Sequence, residues 1–219
     1  MINIFKRNKV NINSINIPDF GWARSVENKN IKQWINEEQT IALSLNFFDL
    51  KPDLPSIKDI KSLRDFYRNQ IIEYNGGIIE VDLVEIKGFK IIKTIFKIPQ
   101  EPTGMMYLGS LTIPFEKCSY VIKIQAPEVG MTGIRDSVIG NKLLNENVIS
   151  IGENGYENWF EDPYDSKFIG GTLMNKSESI EFDSEFVDHP LSRVREILSE
   201  IQKEIIFNKE FEKINKFKK

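Results

Sequence analysis

Few residues in this chain could do chemistry. It carries one histidine, His189, and one cysteine, Cys118. His189 is the one imidazole available as a base near neutral pH. Carboxylates gather in Glu161-Asp162-Pro163-Tyr164-Asp165. There, Asp162 and Asp165 could hold a divalent cation or supply the acid and base of glycoside chemistry. Arg193, four residues beyond His189, could clamp an anion. Together Asp162, Asp165, His189 and Arg193 form one candidate site, that of an enzyme built around the Trp159 loop.

Each of these residues also has a plainer reading, which the spacing favours. Asp162 precedes a proline and sits among Trp159, Phe160 and Tyr164. That composition describes a turn pinned by its rings, with at least two of the three rings buried and the carboxylates in water. His189 beside Pro190 reads as a helix-entry residue. Arg135, Arg193 and Arg195 could each clamp an anion, but Arg193 and Arg195 lie two apart on a helix and point in different directions, so each of the three is expected to pair with a carboxylate nearby. Nothing local supports pairing Ser137 with His189 in a triad. A zinc site would have to draw nearly all its ligands from carboxylates, so no metal is expected. The chain has no Walker loop, no G-x-G-x-x-G after a strand and no H-E-x-x-H, and no cofactor is expected. Gly130-Met-Thr-Gly133 reads as a turn between a strand and a helix.

The elements that must position these residues come from the hydrophobic pattern. Thr40 to Phe48 alternates, with Ile41, Leu43, Leu45 and Phe47 on one face. A helix follows, introduced by Ser56 and Asp59, with Ile57, Ile60, Leu63, Phe66, Tyr67 and Ile71 at helical spacing and Asn75-Gly76-Gly77 as its stop. Ile78 to Ile86, Phe89 to Ile98, Met105 to Phe115 and Ser119 to Gln125 then read as an antiparallel meander. After Gln125 the pattern predicts a short helix carrying Ile134, Val138 and Leu143. A long segment from 145 to 177 is expected to drape over the surface, with a short strand near Gly171-Thr-Leu-Met. An acidic run from Glu178 to Asp188 leads to a last helix with the stripe Leu191, Val194, Leu198, Ile201 and Ile205. The predicted fold class is α+β, a curved antiparallel sheet of five to six strands between helices. Ile92, Phe96, Leu108, Tyr120, Ile122 and Ile124 are expected in one core between that sheet and both long helices.

Composition bounds the rest. At 219 residues the chain reads as a single domain, 1–219, with a weakly held arm over 1–18 and a fraying lysine-rich tail over 208–219. No apolar run approaches the ~20 residues of a membrane helix. The start lacks the apolar stretch of an export signal. With a lone cysteine, these features predict a soluble cytoplasmic protein. The net charge is -3, and basic residues are interleaved with acidic ones, so nucleic acid is not expected as a partner.

The meander carried by Gly88-Phe89, Tyr107-Leu-Gly-Ser-Leu-Thr-Ile-Pro-Phe115 and Ser119-Tyr-Val-Ile-Lys-Ile124 resembles the Mog1/PsbP-like superfamily. Asp162-Pro-Tyr-Asp165 and Asp188-His-Pro-Leu-Ser-Arg193 resemble blocks of uncharacterised bacterial members, with no catalytic role to carry over. The resemblance implies a sheet between helices used for protein binding, as in a small-GTPase partner, a photosystem subunit and chaperones of secreted toxins. The long region after Asn145 departs from that pattern. The resulting expectation is a non-enzymatic accessory protein of adaptor, chaperone or immunity type, with the enzyme around Asp162, Asp165 and His189 as the alternative.

Overall fold

The computed structural model describes residues 10–153 and 155–217. Among them, seven runs pair as one antiparallel sheet. These are β1 (Ala23–Glu27), β2 (Ile31–Ile35), β3 (Ala42–Phe48), β4 (Gly77–Ile86), β5 (Phe89–Pro99), β6 (Met105–Pro114) and β7 (Ser119–Pro127). Their order across the sheet is β1-β2-β3-β7-β6-β5-β4. The α+β class expected from the pattern is therefore present, with more strands than the five to six predicted. The extra hairpin is β1 and β2. Every residue of β1 is exposed, so it carries no apolar alternation to read. Its turn is held instead by Asn28, whose Oδ1 accepts from the amides of Asn30 at 2.9 Å and Ile31 at 3.1 Å.

Local chemistry accounts for the joints. Lys87 (φ 50°) and Gly88 (φ 80°) form the left-handed pair that closes a two-residue hairpin between β4 and β5. Helix α1 (Ile60–Ile72) starts at Asp59, whose carboxylate accepts from the Ser62 amide at 3.1 Å. In the turn before the helix, the Ser56 hydroxyl accepts from the Lys58 amide and its carbonyl from the Asp59 amide. Asn75, at φ 53°, ends α1. Helix α2 (Ile134–Asn145) follows β7, and α3 (Pro190–Glu204) begins with His189 as its cap and Pro190 in its first turn.

The two long helices sit on opposite faces of the sheet. On one face, the α3 stripe Leu191, Val194, Leu198 and Ile201 packs with Leu43, Leu45, Ile91, Ile95, Leu111, Ile122 and Ile124. On the other, Leu63 and Ile71 of α1 pack with Ile78, Val81 and Ile92. The single core expected from the sequence is thus two. Tyr120, Ile122 and Ile124 belong to the α3 side, Ile92 and Phe96 to the α1 side, and Leu108 to neither. Successive strand residues point to opposite faces, so neighbours such as Ile91 and Ile92 can both be buried only if both faces are covered.

Three further expectations are corrected. The described part of the N-terminal arm buries Ile12, Ile15 and Ile17, and Ile15–Asn16 pairs antiparallel with Ile206–Phe207. Residues 1–9 of the arm and 218–219 of the tail lie outside the described residues. The tail does not simply fray: Phe211 is 1% exposed among Phe89, Phe115 and Tyr120, and Phe115 bridges to Lys216. On α2, Ile134 and Val138 face outward while Arg135, Ile139 and Leu143 are buried.

Gly109 shows how closely α3 is seated. A β-carbon there would lie 2.5 Å from Val194 Cγ1 and 3.0 Å from Leu198 Cδ1. Gly109→Val should therefore cost about 1–3 kcal/mol through overpacking, and Ile122→Ala about 2–5 kcal/mol through a cavity. Urea midpoints measure both. A neutral Gly109→Val would mean that α3 does not rest on β6.

Candidate functional site

The acidic loop is fixed by one carboxylate. Asp162 is 4% exposed, and its two oxygens accept from Arg68 Nε at 2.8 Å and Arg68 Nη2 at 2.9 Å. Oδ1 also accepts from the amides of Tyr164 and Asp165. Burial pushes this carboxyl up, but the Arg68 guanidinium and the two amides outweigh it and hold it below the usual carboxylate range. The expected water-facing Asp162 is thus corrected: it ties the loop to α1. Of the three rings, Trp159 is buried, Tyr164 half-buried and Phe160 55% exposed. Asp165 is exposed and accepts from the Lys167 amide.

A second buried network lies where β5, β6 and α3 meet. Lys97 Nζ and Glu178 Oε2 are 2.7 Å apart, both side chains essentially without solvent contact. Tyr107 Oη donates to the other Glu178 oxygen at 3.0 Å. Burial and the Glu178 charge push the Tyr107 hydroxyl well above its ordinary range, so it remains a donor. Arg135, on α2, is 1% exposed and donates to the Ser177 and Ser179 carbonyls, to Ser192 Oγ and to Asp183. Arg195 reaches the same Asp183 from α3 at 2.8 Å.

His189 joins the edge of this network. Its Nδ1 accepts from the Leu191 amide at 3.2 Å, and its Nε2 is 3.5 Å from Glu128 Oε1. With Nδ1 engaged as acceptor, Nε2 carries the proton, and no lone pair is left to act as a base toward a ligand. Glu128 also accepts from the Met105 and Gly133 amides. Burial raises its carboxyl, yet His189 and these two amides bring it below the ordinary value. Ser137 Oγ is committed to the Gly133 carbonyl, away from any triad. Burial and the nearby Asp49 charge push the Cys118 thiol up to about 11, which keeps it protonated.

The four residues of the alternative site do not converge on one cleft. Asp162 lines a hollow of about 390 Å³ with Trp159, Met174 and Phe182. Arg193 lines another, of about 860 Å³, with Phe20, Trp22, Glu37 and Asp188. His189 lines neither, and Asp165 is absent from both. Arg193 is paired with Glu196 on its own helix. Among the described residues, no three His, Cys, Asp or Glu side chains come together as metal ligands would. The sequence did not flag Arg68, Lys97 or Glu178, whereas Arg135, expected to pair with a carboxylate, does so with Asp183. A signal existed for Lys97, since it shares the inward phase of Ile91 and Ile95.

A further feature is a sheet face. Helix α1 covers β4 and β5 on its face and reaches Thr112 of β6 through Tyr67, and among the described residues no helix joins its cluster to β1, β2, β3 or β7 there. Cross-strand register puts Ile35, Ala42, Gln125 and Leu108 in one row, Gln33, Ser44, Lys123 and Ser110 in the next, and Ile31, Asn46 and Val121 in a third. All of these are half-buried. Phe48, in the same phase on β3, is 44% exposed. None of Ile31, Ile35, Phe48, Leu108 and Val121 packs into the cluster under α1 or the one under α3.

No protein-family model and no curated protein matches the chain. Among solved structures, a protein from Bacteroides thetaiotaomicron VPI-5482 aligns with a TM-score of 0.34 and 13% identity, over 53% of this chain and 39% of that one. This chain thus spans well under half of its length. A Pseudomonas aeruginosa protein of unknown function aligns with a TM-score of 0.34 and 9% identity, over 57% of this chain and 83% of that one. Likeness this slight carries no argument about function.

Removing one partner of a buried pair leaves the other charge uncompensated, which costs ~3–5 kcal/mol. Asp162→Asn should fall at the low end, because Asp65 still offers Arg68 a carboxylate. The folded Asp162 carboxyl is depressed, so its contribution is complete above its unfolded value of roughly 3.9 and is lost as pH falls through the folded value. The stability gap between wild type and Asp162→Asn should therefore be wide at neutral pH and narrower in acid. Equal urea midpoints at pH 7 would contradict the anchoring role.

Proposed function

We propose that the chain is a non-enzymatic accessory protein that binds a protein partner on the uncovered half of its sheet. One observation carries this reading: among the described residues, Ile31, Ile35, Phe48, Leu108 and Val121 share a part of the sheet face that no helix covers, and they belong to neither core. A sheet face that serves only as a solvated surface has no need of apolar residues at these positions. Their arrangement, with rows mixing apolar residues with Gln125 or Asn46 either side of the polar row Gln33, Ser44, Lys123 and Ser110, suits an interface that forms and separates. Non-obligate interfaces are about as apolar as ordinary surface. The resemblance of the meander to the Mog1/PsbP-like superfamily supports the same use of the sheet. The roles found for Asp162 and His189, an anchor and a helix cap, favour it over the enzyme alternative.

The test combines Phe48→Ser with Leu108→Glu. Both side chains are partly exposed, so the double variant should lose no more than about 1–2 kcal/mol of stability. Extracts of the producing cells, passed over immobilised wild-type protein, should yield one partner in stoichiometric amount, and the double variant should fail to retain it. A partner held equally by both proteins would place the contact elsewhere. Turnover abolished by Asp165→Asn in a fully folded protein would replace the binding reading with the enzymatic one.

A further inference from the structure

At the β4–β5 hairpin end of the sheet, a hollow of about 350 Å³ lies between that hairpin, the end of β6 and the C-terminal segment. Its floor is apolar: Ile57, Ile113 and Phe115 are buried, and Phe89 and Phe217 are half-buried beside them. Its rim is basic. Lys58, Lys90 and Lys216 all line it and all are exposed. No carboxylate pairs with Lys58 or Lys90 among the described residues. Among the described residues, the partners of Lys216 Nζ are neutral, the Gly88 carbonyl at 3.3 Å and the Phe89 ring at 5.8 Å. The single acidic residue of the lining, Glu85, faces Lys90 across the β4–β5 ladder without reaching ion-pair distance. A protein of net charge -3 thus concentrates three ammonium groups around an apolar hollow.

We propose that this hollow binds a small amphiphilic carboxylate, with its apolar body on Ile57, Ile113 and Phe115 and its anionic head among Lys58, Lys90 and Lys216. Charge complementarity selects the head, since three cations against one carboxylate favour an anion over a neutral or cationic ligand. Volume selects the size. Small-molecule sites occupy roughly 300–1,000 Å³, and this one lies at the lower end. A folded protein partner would instead need on the order of 1,000 Å² of buried surface, which a hollow of this kind does not supply. The hollow is lined by none of the residues of the uncovered sheet face, so this site is independent of the protein-binding reading.

Decanoate is the probe, and the methyl resonances of Ile57 and Ile113 in the full chain are the readout. Saturable shifts of both methyls on titration are expected. Octanoate should bind roughly tenfold more weakly, since each methylene withdrawn from water contributes ~0.8 kcal/mol. The double substitution Lys58→Gln with Lys90→Gln should leave the unliganded spectrum intact and weaken decanoate at least about tenfold, as expected for losing charge-assisted contacts. Decyltrimethylammonium, with the same chain and the opposite charge, should not saturate. Absence of saturable shifts with decanoate would overturn the proposal. So would equal binding of the cationic amphiphile, or an unaffected Lys58→Gln/Lys90→Gln protein, because either would reduce the hollow to an unselective apolar surface. Shifts produced by an acidic leucine-rich peptide but not by decanoate would also overturn it, in favour of a macromolecular occupant.

Discussion

A lysine carried by a strand into a dry core must be met by a carboxylate, and much of this structure follows from how Lys97 is met. Its partner Glu178 lies 81 positions further along the chain, at 2.7 Å and equally buried. Desolvating two charges is costly, and the cost is offset only when geometry and further hydrogen bonds are good. Here Tyr107 and the Asn175 amide supply those bonds to Glu178. The segment that delivers Glu178 is held down in turn by Arg135, which gathers two carbonyls, Ser192 and Asp183 around one guanidinium. A long stretch with little regular structure thereby becomes a fixed cap on one end of the sheet.

The same logic governs the sheet's edge. β4 is ten residues long and lies at the margin, where unpaired backbone groups invite pairing with another chain. Tyr164 Oη accepts from the Val81 amide at 2.8 Å, and Arg64 Nε donates to the Val81 carbonyl at 3.1 Å. The Arg64 guanidinium lies 3.6 Å from the Tyr164 ring centroid, so one stacked pair fills both groups. The loop that Asp162 anchors to Arg68 is the loop that brings Tyr164 there. Its carboxylate and its aromatic ring are thus both explained by closing an edge and a face. The opposite margin, β1, is short and bulged between Arg24 and Val26.

Covering the two faces to different extents leaves the molecule asymmetric. α3 needs a flat seat, provided by Gly109, and it shields the strands from β3 to β5. α1 lies over β4 and β5 and reaches only as far as Thr112 of β6, because the chain must cross from β3 to the far margin and then runs as a meander back towards β3. The strip it leaves uncovered is a consequence of that path.

The sequence by itself determined the local pieces: the meander from β4 to β7, the Lys87-Gly88 turn, the capped start of α3 and its apolar stripe. These are legible because periodicity, turn residues and caps act over a few positions, and each can be read from its neighbours. It also pointed to His189 as a helix-entry residue, since a proline follows it. Only the tertiary structure decided that Asp162 is buried, that Ile92 and Ile122 belong to different cores, and that Phe211 in the lysine-rich tail packs against Tyr120. Arg68, Lys97 and Glu178 look like ordinary solvated charges in sequence, and the burial of Arg135 is equally hidden there, because a long-range ion pair leaves no periodic trace. Arg68 meets Asp162 across 94 positions and Lys97 meets Glu178 across 81, while the partners of Arg135 lie 42 to 57 positions on. The uncovered sheet face was equally illegible: whether an alternating strand turns its second face to water or to a helix depends on where the helix comes to rest, which the strand's own residues do not encode.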